Sequence, residues 1–372
     1  MSIRIEQAIS PRQIRAFIRF RHKLYQGDPN YIPELNWSER NFLGPKNPFF
    51  RHSRAAYFLA YNGKQMAGRV AAIYNTMHLE RYQDRTGFFG FFDAVDDQAV
   101  CDALLHAAGK WLASLGMTRI MGPENFTTNH AVGILTAGFE QPPVVQMPYN
   151  RPYYESLLNN NGMTEQMELH AYRFEQVDLP ADFMKRAQTI EARLKRHNIR
   201  IRPVNFSHFG EEMEQLRQVY NAANEGHWGF VPLTVAEFRF LANDLRKIVQ
   251  KENVLLAEKD GQLIGYMVTV PDVNQILRKI PEGRLFPFGW AKLLAKPQIN
   301  GARLLILGVL PAFRRMGIDW CFYARTSRFF TEAGIKWTEA GYVMGNNLMM
   351  NRIIRNIGGK PAKTYKVLAR LI

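Results

Sequence analysis

The chain has 372 residues, of which 47% are hydrophobic and 22% charged, a composition typical of folded globular proteins and not of disordered, collagenous or coiled-coil chains. At about 150 residues per domain, this length predicts two or three domains. Cys101 and Cys321 lie far apart without CxxC or Cys/His spacing, so neither a disulfide framework nor a metal site is expected. No leader pattern and no run of about 18 apolar residues is found, which predicts a cytoplasmic protein.

The charge is divided unevenly along the chain. Residues 1–180 hold 18 Lys/Arg and 17 Asp/Glu, whereas residues 181–372 hold 30 and 16, so nearly all of the net charge of +15 belongs to the second half. A basic half suggests an anionic partner, either a phosphate-rich cofactor, an anionic membrane face or nucleic acid. Nucleic acid is disfavoured because no helix-turn-helix, zinc finger or aromatic sheet signature is present. A solvated basic surface without a partner is the remaining alternative.

The predicted elements occur twice in chain order. Hairpins around an Asn-Gly and an Asp-Gly turn are expected at 58–70 and 255–267, with Gly68 and Gly265 in register. Each hairpin is followed by a strand, a helix, a strand, a helix and a strand. These elements are residues 88–92, 97–115, 119–121, 152–160 and 166–174 in the first half, and 303–309, 317–333, 336–343, 348–356 and 363–369 in the second. The repeat predicts tandem α/β domains, 1–180 and 181–372, each with helices on the faces of a mixed sheet.

In the second half a buried strand runs into a turn that contains arginine and glycine. The segment reads Leu307-Gly308-Val309-Leu310-Pro311-Ala312-Phe313-Arg314-Arg315-Met316-Gly317-Ile318-Asp319, and a helix is expected to begin at its end. Unpaired backbone N–H groups and the positive end of the helix dipole would meet there, as in an anion site. The segment is neither a Walker loop nor a GxGxxG fingerprint. An ordinary strand-to-helix turn is the alternative.

At this turn the chain resembles the GNAT superfamily of acyl-CoA N-acyltransferases, whose signature is V-x-P followed by [QR]-x-x-G-x-[GA]. Asp319 departs from it, because a small residue is expected there. Asn347 and Gly358 continue the resemblance, while Ile354 stands where many members carry a tyrosine acid. The resemblance implies an acyl-CoA donor, no metal, and cofactor contacts from Leu307, Val309, Arg314, Arg315, Met316, Gly317, Ile318, Asp319 and Asn347.

The first half lacks such a turn and has the acidic segment 93–96 instead, which would repel a pyrophosphate. We therefore interpret it as a degenerate GNAT-like copy that lost its cofactor and helps to build the acceptor pocket. The two halves also differ in a long loop at 122–150 and an insertion at 271–302. Loops of this length are usually functional or disordered.

The insertion mixes large aromatic residues with five cations, Arg278, Lys279, Arg284, Lys292 and Lys296. This composition suits a membrane interface or the mouth of a lipid tunnel, and a lid packed on the other domain is an equal alternative. With the stretches 147–150 and 228–232, it resembles a bacterial GNAT group that includes the bacterial ceramide synthases. The resemblance implies transfer of a long acyl chain to a lipid amine, such as that of a sphingoid base, by a peripheral protein at an anionic membrane surface.

Acylation of an amine requires a base for the ammonium proton and donors for the oxyanion. Glu339, Asp272 and His227 are candidates for the base or the acceptor mouth, and Tyr342 for the missing tyrosine acid. Glu339 and Tyr342 lie three apart on a strand, so at most one is expected to face the pocket. Two other functions remain open, a short-chain acetyltransferase acting on a small amine or a protein, and a non-catalytic protein that binds anionic lipid.

Overall fold

The computed structural model describes residues 3–175, 179–294 and 299–372, so Lys296 of the insertion lies outside the described residues. The helices are α1 (Pro11–Leu24), α2 (Asn36–Leu43), α3 (Thr76–Tyr82), α4 (Gln98–Ala113), α5 (Tyr154–Asn160), α6 (Ala181–Arg196), α7 (Phe209–Asn224), α8 (Val235–Leu245), α9 (Asn274–Leu277), α10 (Gly289–Leu294), α11 (Ile318–Glu332) and α12 (Leu348–Asn356).

Across the described ranges, thirteen strands form one mixed sheet. They are β1 (Ile3–Gln7), β2 (Arg54–Asn62), β3 (Gln65–Tyr74), β4 (Thr86–Ala94), β5 (Arg119–Gly122), β6 (Ile134–Ala137), β7 (Thr164–Phe174), β8 (Ile199–Pro203), β9 (Val254–Lys259), β10 (Gln262–Pro271), β11 (Gly301–Val309), β12 (Trp337–Met344) and β13 (Lys360–Leu371). Their order is β1-β2-β3-β4-β5-β13-β7-β12-β11-β10-β9-β8, with β6 also paired to β13.

The two predicted hairpins are present as β2–β3 and β9–β10. Ala60 pairs with Gly68 in the first and Ala257 pairs with Gly265 in the second, so the copies share one register. Gly68 lets α4 lie close to the sheet, because a Cβ there would stand 2.7 Å from Leu104 Cδ1. The tandem, mixed α/β fold that the sequence predicts is confirmed.

The two halves exchange their last strands, which the sequence does not predict. Strand β7 of the first half pairs with β12 of the second, and β13 of the second half pairs with β5 of the first. Strands β7 and β13 pair with each other at the centre of the sheet. The sheet is therefore continuous, and its central ladders join residues from both halves.

In each half, two parallel strands begin side by side and then part. Pairing of β4 with β5 ends at Phe88 and Met121, and pairing of β11 with β12 ends at Leu304 and Ala340. Because the strands continue beyond these points, each half has a wedge-shaped gap in its part of the sheet.

The first gap is closed by the chain that follows β5. The N–H of Glu124 donates to the carbonyl of Phe89 (2.7 Å), and the N–H of Phe91 donates to Asn125 Oδ1 (2.9 Å). Beyond Leu304, no described segment of the chain pairs in this way along the facing edge of β11, and only the side chain of Arg314 donates to Val309 O. The gap of the second half therefore stays open.

Candidate active site

A cavity of about 860 Å³ lies at the open gap between β11 and β12. Four consecutive residues of β11 (304–307) and five of β12 (340–344) border it. Successive side chains of a strand point to opposite faces of the sheet, so a space that contacts all of them passes through the sheet between the two strands. Backbone N–H and C=O groups of both strands that are not paired with each other face this space, where they can hydrogen-bond to a ligand.

Both halves of the chain line this cavity. The second half contributes β10, α7, α11 and α12, and the first contributes α2 and the long loop that follows β5. The first-half residues along the loop include Asn125, Thr128, Asn129, His130, Val132, Met147 and Tyr149. The loop that the sequence singles out by its length is thus a wall of the cavity.

The turn after β11 has the shape of an anion-binding loop. Arg315 and Gly317 both have left-handed backbone conformations, with φ of 63° and 86°. Gly317 is the N-cap of α11 and offers no side chain to the first-turn N–H groups of that helix. The first-turn N–H groups that the Asp319 carboxylate does not take up are consequently available to an anion, with the helix dipole behind them.

The two arginines of the turn differ in their surroundings. Arg314 donates through Nε to the carbonyl of Val309 (3.2 Å) and through Nη2 to that of Ala223 (3.0 Å), which ties the turn to α7. Arg315 is exposed, and Arg193 of α6 donates to the carbonyl of Met316 (2.9 Å). Helix α6, whose Arg193 contacts the turn, carries the further exposed cations Lys185, Arg186, Lys195 and Arg196. The turn therefore lies in a strongly positive part of the surface.

The remaining predicted cofactor residues take three different positions. Leu307 and Asn347 border the cavity, and Asn347 also caps α12 by accepting a hydrogen bond from the N–H of Met350 (3.1 Å). Ile318 is buried in the core. Burial raises the pKa of Asp319, while hydrogen bonds from the N–H groups of Trp320 and of Asp319 itself oppose that rise. The carboxylate thus folds back onto the helix N-terminus, where it uses part of the donor set.

Glu339 and Asp272 lie below the cavity and do not border it. Glu339 is 0% exposed and its Oε2 accepts from Lys363 Nζ at 2.8 Å, within an ion pair whose side chains are each 1% exposed. Asp272 accepts from the N–H of Val145 (2.9 Å), and burial raises its pKa to about 6. Glu339, a candidate base from the sequence, is thus paired with Lys363 in the interior and does not face the cavity.

Arg303 joins this buried charge cluster to the cavity wall. It stands where β11 and β12 part, and it donates through Nη1 to Val145 O and through Nη2 to Gly341 O, each at 2.9 Å. The guanidinium therefore fixes the first-half loop and β12 on either side of the gap. Sequence reasoning missed this residue, because only the strand exchange and the loop path reveal its partners.

Tyr342 and His227 do border the cavity. Tyr342 lies in a bulge of β12, its hydroxyl accepts from the N–H of Val132 (3.1 Å), and burial raises its pKa to about 12. His227 is exposed at the rim, and burial of part of its ring and the charge of Arg314 lower its pKa. Of the four candidate catalytic side chains, the structure brings these two together with Leu307 and Asn347 on one cavity.

No family model matches the chain. Among known proteins, it is 33% identical over 371 residues to Protein YghO of Escherichia coli (strain K12), a match that covers 98% of this chain and 94% of the other. It is 32% identical over 377 residues to the bacterial ceramide synthase of Caulobacter vibrioides (strain NA1000 / CB15N), covering 98% of this chain and 96% of that one.

Two solved structures share the fold over nearly the whole chain. A tandem GNAT protein from the clavulanic acid biosynthesis pathway superposes with a TM-score of 0.59 at 10% identity, covering 100% of this chain and 98% of the other. A GCN5-related N-acetyltransferase from Sphaerobacter thermophilus gives a TM-score of 0.55 at 11% identity, covering 99% and 95%. The tandem GNAT arrangement is thus a known architecture.

Proposed function

The chain belongs to the family that contains Protein YghO and the bacterial ceramide synthase and is an acyltransferase of the tandem GNAT fold, and from this premise we propose that it transfers a long acyl chain from acyl-CoA to the amine of a lipid, a sphingoid base in particular. The observation that carries this proposal is the open gap between β11 and β12, which leads into a large cavity walled by both halves.

The donor would enter along the second half. Its pyrophosphate would meet the turn at Arg315 and Gly317, and its pantetheine would lie along the free edge of β11, where backbone N–H groups near Val309 are suited to hold the thioester oxyanion. The cations of α6 favour a polyanionic cofactor at this end. The interior beyond the gap is largely apolar and aromatic, as a long acyl chain requires.

The reaction forms a C–N bond and breaks the C–S bond, so the departing thiolate needs a proton. Tyr342 is the residue we assign to this step. Its hydroxyl oxygen already accepts from Val132, and its own proton has no acceptor among the described residues. The hydroxyl can therefore donate to a sulfur atom in the gap.

The acceptor would be delivered from a membrane. Phe286, Phe288 and Trp290 of the insertion are 80%, 75% and 46% exposed, an arrangement that is unusual for a surface in water alone. Exposed cations flank them, Arg278, Lys279, Arg284 and Lys292. Aromatic side chains among cations suit the interface of an anionic bilayer, which would make the protein peripheral on the inner membrane face. No helix in the described ranges has the length and hydropathy to cross a bilayer.

The insertion stands next to the cavity. Asn274 and Leu277 border it, as does Trp37, which is 60% exposed. Asn36 Nδ2 donates to the carbonyl of Glu282 at 2.6 Å, which holds the insertion against α2. A lipid that leaves the bilayer at the aromatic residues would therefore reach the cavity directly.

The first experiment compares palmitoyl-CoA with acetyl-CoA by calorimetric titration at matched salt, followed by product analysis with sphinganine. We expect tighter binding of the long-chain donor, formation of the N-acyl product, and a loss of turnover in Tyr342→Phe of about 100-fold with unchanged donor affinity. Equal affinity for both donors would favour a short-chain acetyltransferase. Binding of neither donor, with retained binding to liposomes, would favour a non-catalytic lipid-binding protein.

The membrane contact is tested by sedimentation with vesicles of phosphatidylglycerol and of phosphatidylcholine. We expect binding to the anionic vesicles, and loss of it in the double variant Phe286→Ser/Phe288→Ser. Ile9→Ser is the matched control, since Ile9 is 79% exposed outside the insertion. Equal binding of the double variant and the control would contradict the assignment.

A further inference from the structure

We infer that His130, a residue of the first half, is the general base of the reaction performed in the cleft of the second half. This inference rests on the proposed function, because it names the base for the same acyl transfer. Sequence reasoning gives His130 no role, since no nucleophile or metal pattern surrounds it, and the loop length alone marks the segment.

The first observation is the position of the imidazole. His130 borders the cavity and is half-buried, whereas His227 is exposed. Its Nδ1 is 3.1 Å from Thr127 Oγ1, and its ring packs edge-on against Phe42 with centroids 4.9 Å apart. Nε2 has no hydrogen-bond partner among the described residues. With the ring proton on Nδ1 and donated to Thr127 Oγ1, the Nε2 lone pair is free for a substrate.

The second observation is that the loop around His130 is fastened to the second half. Thr128 Oγ1 donates to Gly229 O (2.9 Å), and Asn129 Nδ2 donates to Val231 O (3.0 Å). Tyr220 of α7 donates to Asn129 Oδ1 at 2.6 Å. These three hydrogen bonds hold Thr128 and Asn129, the two residues that precede His130, against the second half. A base must be fixed within reach of its proton, and this loop provides such a fixed position.

The third observation relates the base to the proposed acid. Val132, two residues after His130, donates its N–H to the hydroxyl of Tyr342. The same short segment of the first half therefore carries the imidazole and orients the phenol of β12. A base and an acid placed by one segment keep a constant separation, as an acyl transfer with one proton removed and one delivered requires.

Burial, and not a neighbouring charge, keeps His130 neutral. Burial lowers its pKa to about 4, and Glu237 of α8 partly opposes this. Glu237 is itself bonded to His52 Nε2 at 3.1 Å, and the phenols Tyr220 and Tyr342 on α7 and β12 are un-ionised at neutral pH. The imidazole is therefore unprotonated throughout the neutral range, as a base must be before it takes a proton, although burial makes it less basic than a free imidazole.

The proton transfers balance in two steps. The acceptor ammonium gives one proton to His130 Nε2, and the free amine attacks the thioester carbonyl. The C–N bond forms, the C–S bond breaks, and the thiolate takes a proton from Tyr342, which recovers it from the nitrogen of the new amide. The proton on His130 leaves to solvent, so the products are the amide, free CoA thiol and one proton.

The test compares three histidine variants of the full chain, His130→Asn, His227→Asn and His106→Asn. His106 is exposed on α4 and serves as the surface control. Steady-state rates are measured with palmitoyl-CoA and sphinganine from pH 7 to pH 9.5, and palmitoyl-CoA affinity is measured by calorimetry. We expect His130→Asn to lower kcat at pH 7 by about 100-fold without changing donor affinity.

The pH series separates a base from a structural residue. Without a base the variant depends on amine that is already unprotonated, so its deficit should shrink as the pH rises toward the pKa of the acceptor ammonium. A second variant, His130→Ala, should regain activity with added imidazole. A deficit that is constant with pH, no rescue by imidazole, or a pH-dependent deficit in His227→Asn would each overturn the inference. If wild-type protein binds no long-chain donor, it is the proposed function that fails, which the calorimetry reveals separately.

Discussion

The two halves are built on one plan, and they differ most at the gap between their parallel strands. In the first half, Glu124 and Asn125 hydrogen-bond to the free edge of β4 and close the gap. In the second half the edge of β11 faces a cavity. The difference shows that the GNAT scaffold does not need an open cleft to fold, since the same strand order is stable with the gap closed.

The residues beside each gap follow the same division. The pairing of β3 with β4 places Arg69 opposite Asp93 in the first half, and the pairing of β10 with β11 places Tyr266 opposite Gly308 in the second. Arg69 is 1% exposed and forms 2.8 Å ion pairs with Asp93 and with Glu39. A Cβ at Gly308 would stand 2.4 Å from the Tyr266 hydroxyl. At these matched positions the first half thus has a buried ionic cluster and the second half an uncharged pair, and Arg69, Asp93 and Tyr266 all border the shared cavity.

The largest effect is expected from separating the halves at the proposed boundary near residue 180. Expressed alone, residues 1–180 would lack β13, which pairs with both β5 and β7. Strand β7 would also lack β12, so both of its edges and one edge of β5 would be left unpaired, and unpaired edges promote aggregation. We expect neither half to unfold cooperatively by circular dichroism, and co-expression to restore a one-to-one complex on size exclusion. Cooperative unfolding of residues 1–180 alone would refute this expectation.

The next effect distinguishes the ionic cluster of the first half from the uncharged pair of the second. Arg69→Met leaves two carboxylates buried without their cation and should lower the free energy of unfolding by about 3–5 kcal/mol. Tyr266→Phe removes the hydroxyl that accepts from Asn224 Nδ2 (2.8 Å) and should cost only about 1 kcal/mol. Urea unfolding measures both. Equal losses of stability in Arg69→Met and Tyr266→Phe would contradict the view that the ionic cluster stabilises the first half more than the uncharged pair stabilises the second.

Much of the fold could be predicted because its signals are local. The Asn-Gly and Asp-Gly turns place both hairpins, and the arginine and glycine after Val309 mark the turn that the structure builds with left-handed residues. Apolar runs, and glycines at the ends of helices, predict the remaining strands and helices in order. These features depend on neighbouring residues, so a single sequence contains them.

The site could be predicted only in part because its contacts are long-range. Glu339 meets Lys363 only because β13 lies at the centre of a shared sheet, where Lys363 and Glu339 are brought to opposite sides of β7. His130 enters the cleft only because its loop crosses to Gly229 and Val231. Periodicity says nothing of which distant strand becomes a neighbour, so these partners required the structure.

A third variant tests the turn itself. Gly317 has a φ of 86°, and a Cβ there would stand 2.8 Å from Ile190 Cγ2. Gly317→Trp should fill the turn and weaken palmitoyl-CoA binding by about 1,000-fold, equivalent to about 4 kcal/mol, while the protein remains folded. The matched N-cap of the first half is Asp97, whose side chain accepts from Ala99 N–H. Asp97→Ala should cost about 1 kcal/mol of stability and leave donor binding unchanged. Full activity in folded Gly317→Trp would remove the cofactor assignment.

The smallest effect is expected when one residue of the second half is changed to the residue type at the matching position of the first. Asp272 follows β10 as Asn75 follows β3, and both are buried. Burial raises the pKa of Asp272 from 3.8 to about 6, so the folded state holds the proton more tightly than the unfolded state. Its contribution to stability is therefore full below pH 4 and is lost as the pH rises through 6.

Asp272→Asn should keep the acceptor for the Val145 N–H without the charge. We expect the variant to match the wild type near pH 4 and to exceed its free energy of unfolding at pH 8 by about 2–3 kcal/mol, as a shift of about two pKa units implies. Urea unfolding at pH 4, 6 and 8 measures the difference. If the free energy of unfolding of the variant still changes between pH 4 and 6 as in the wild type, another group titrates there. The charge of Asp272 would then not destabilise the second half, and Asn75 would give the first half no advantage.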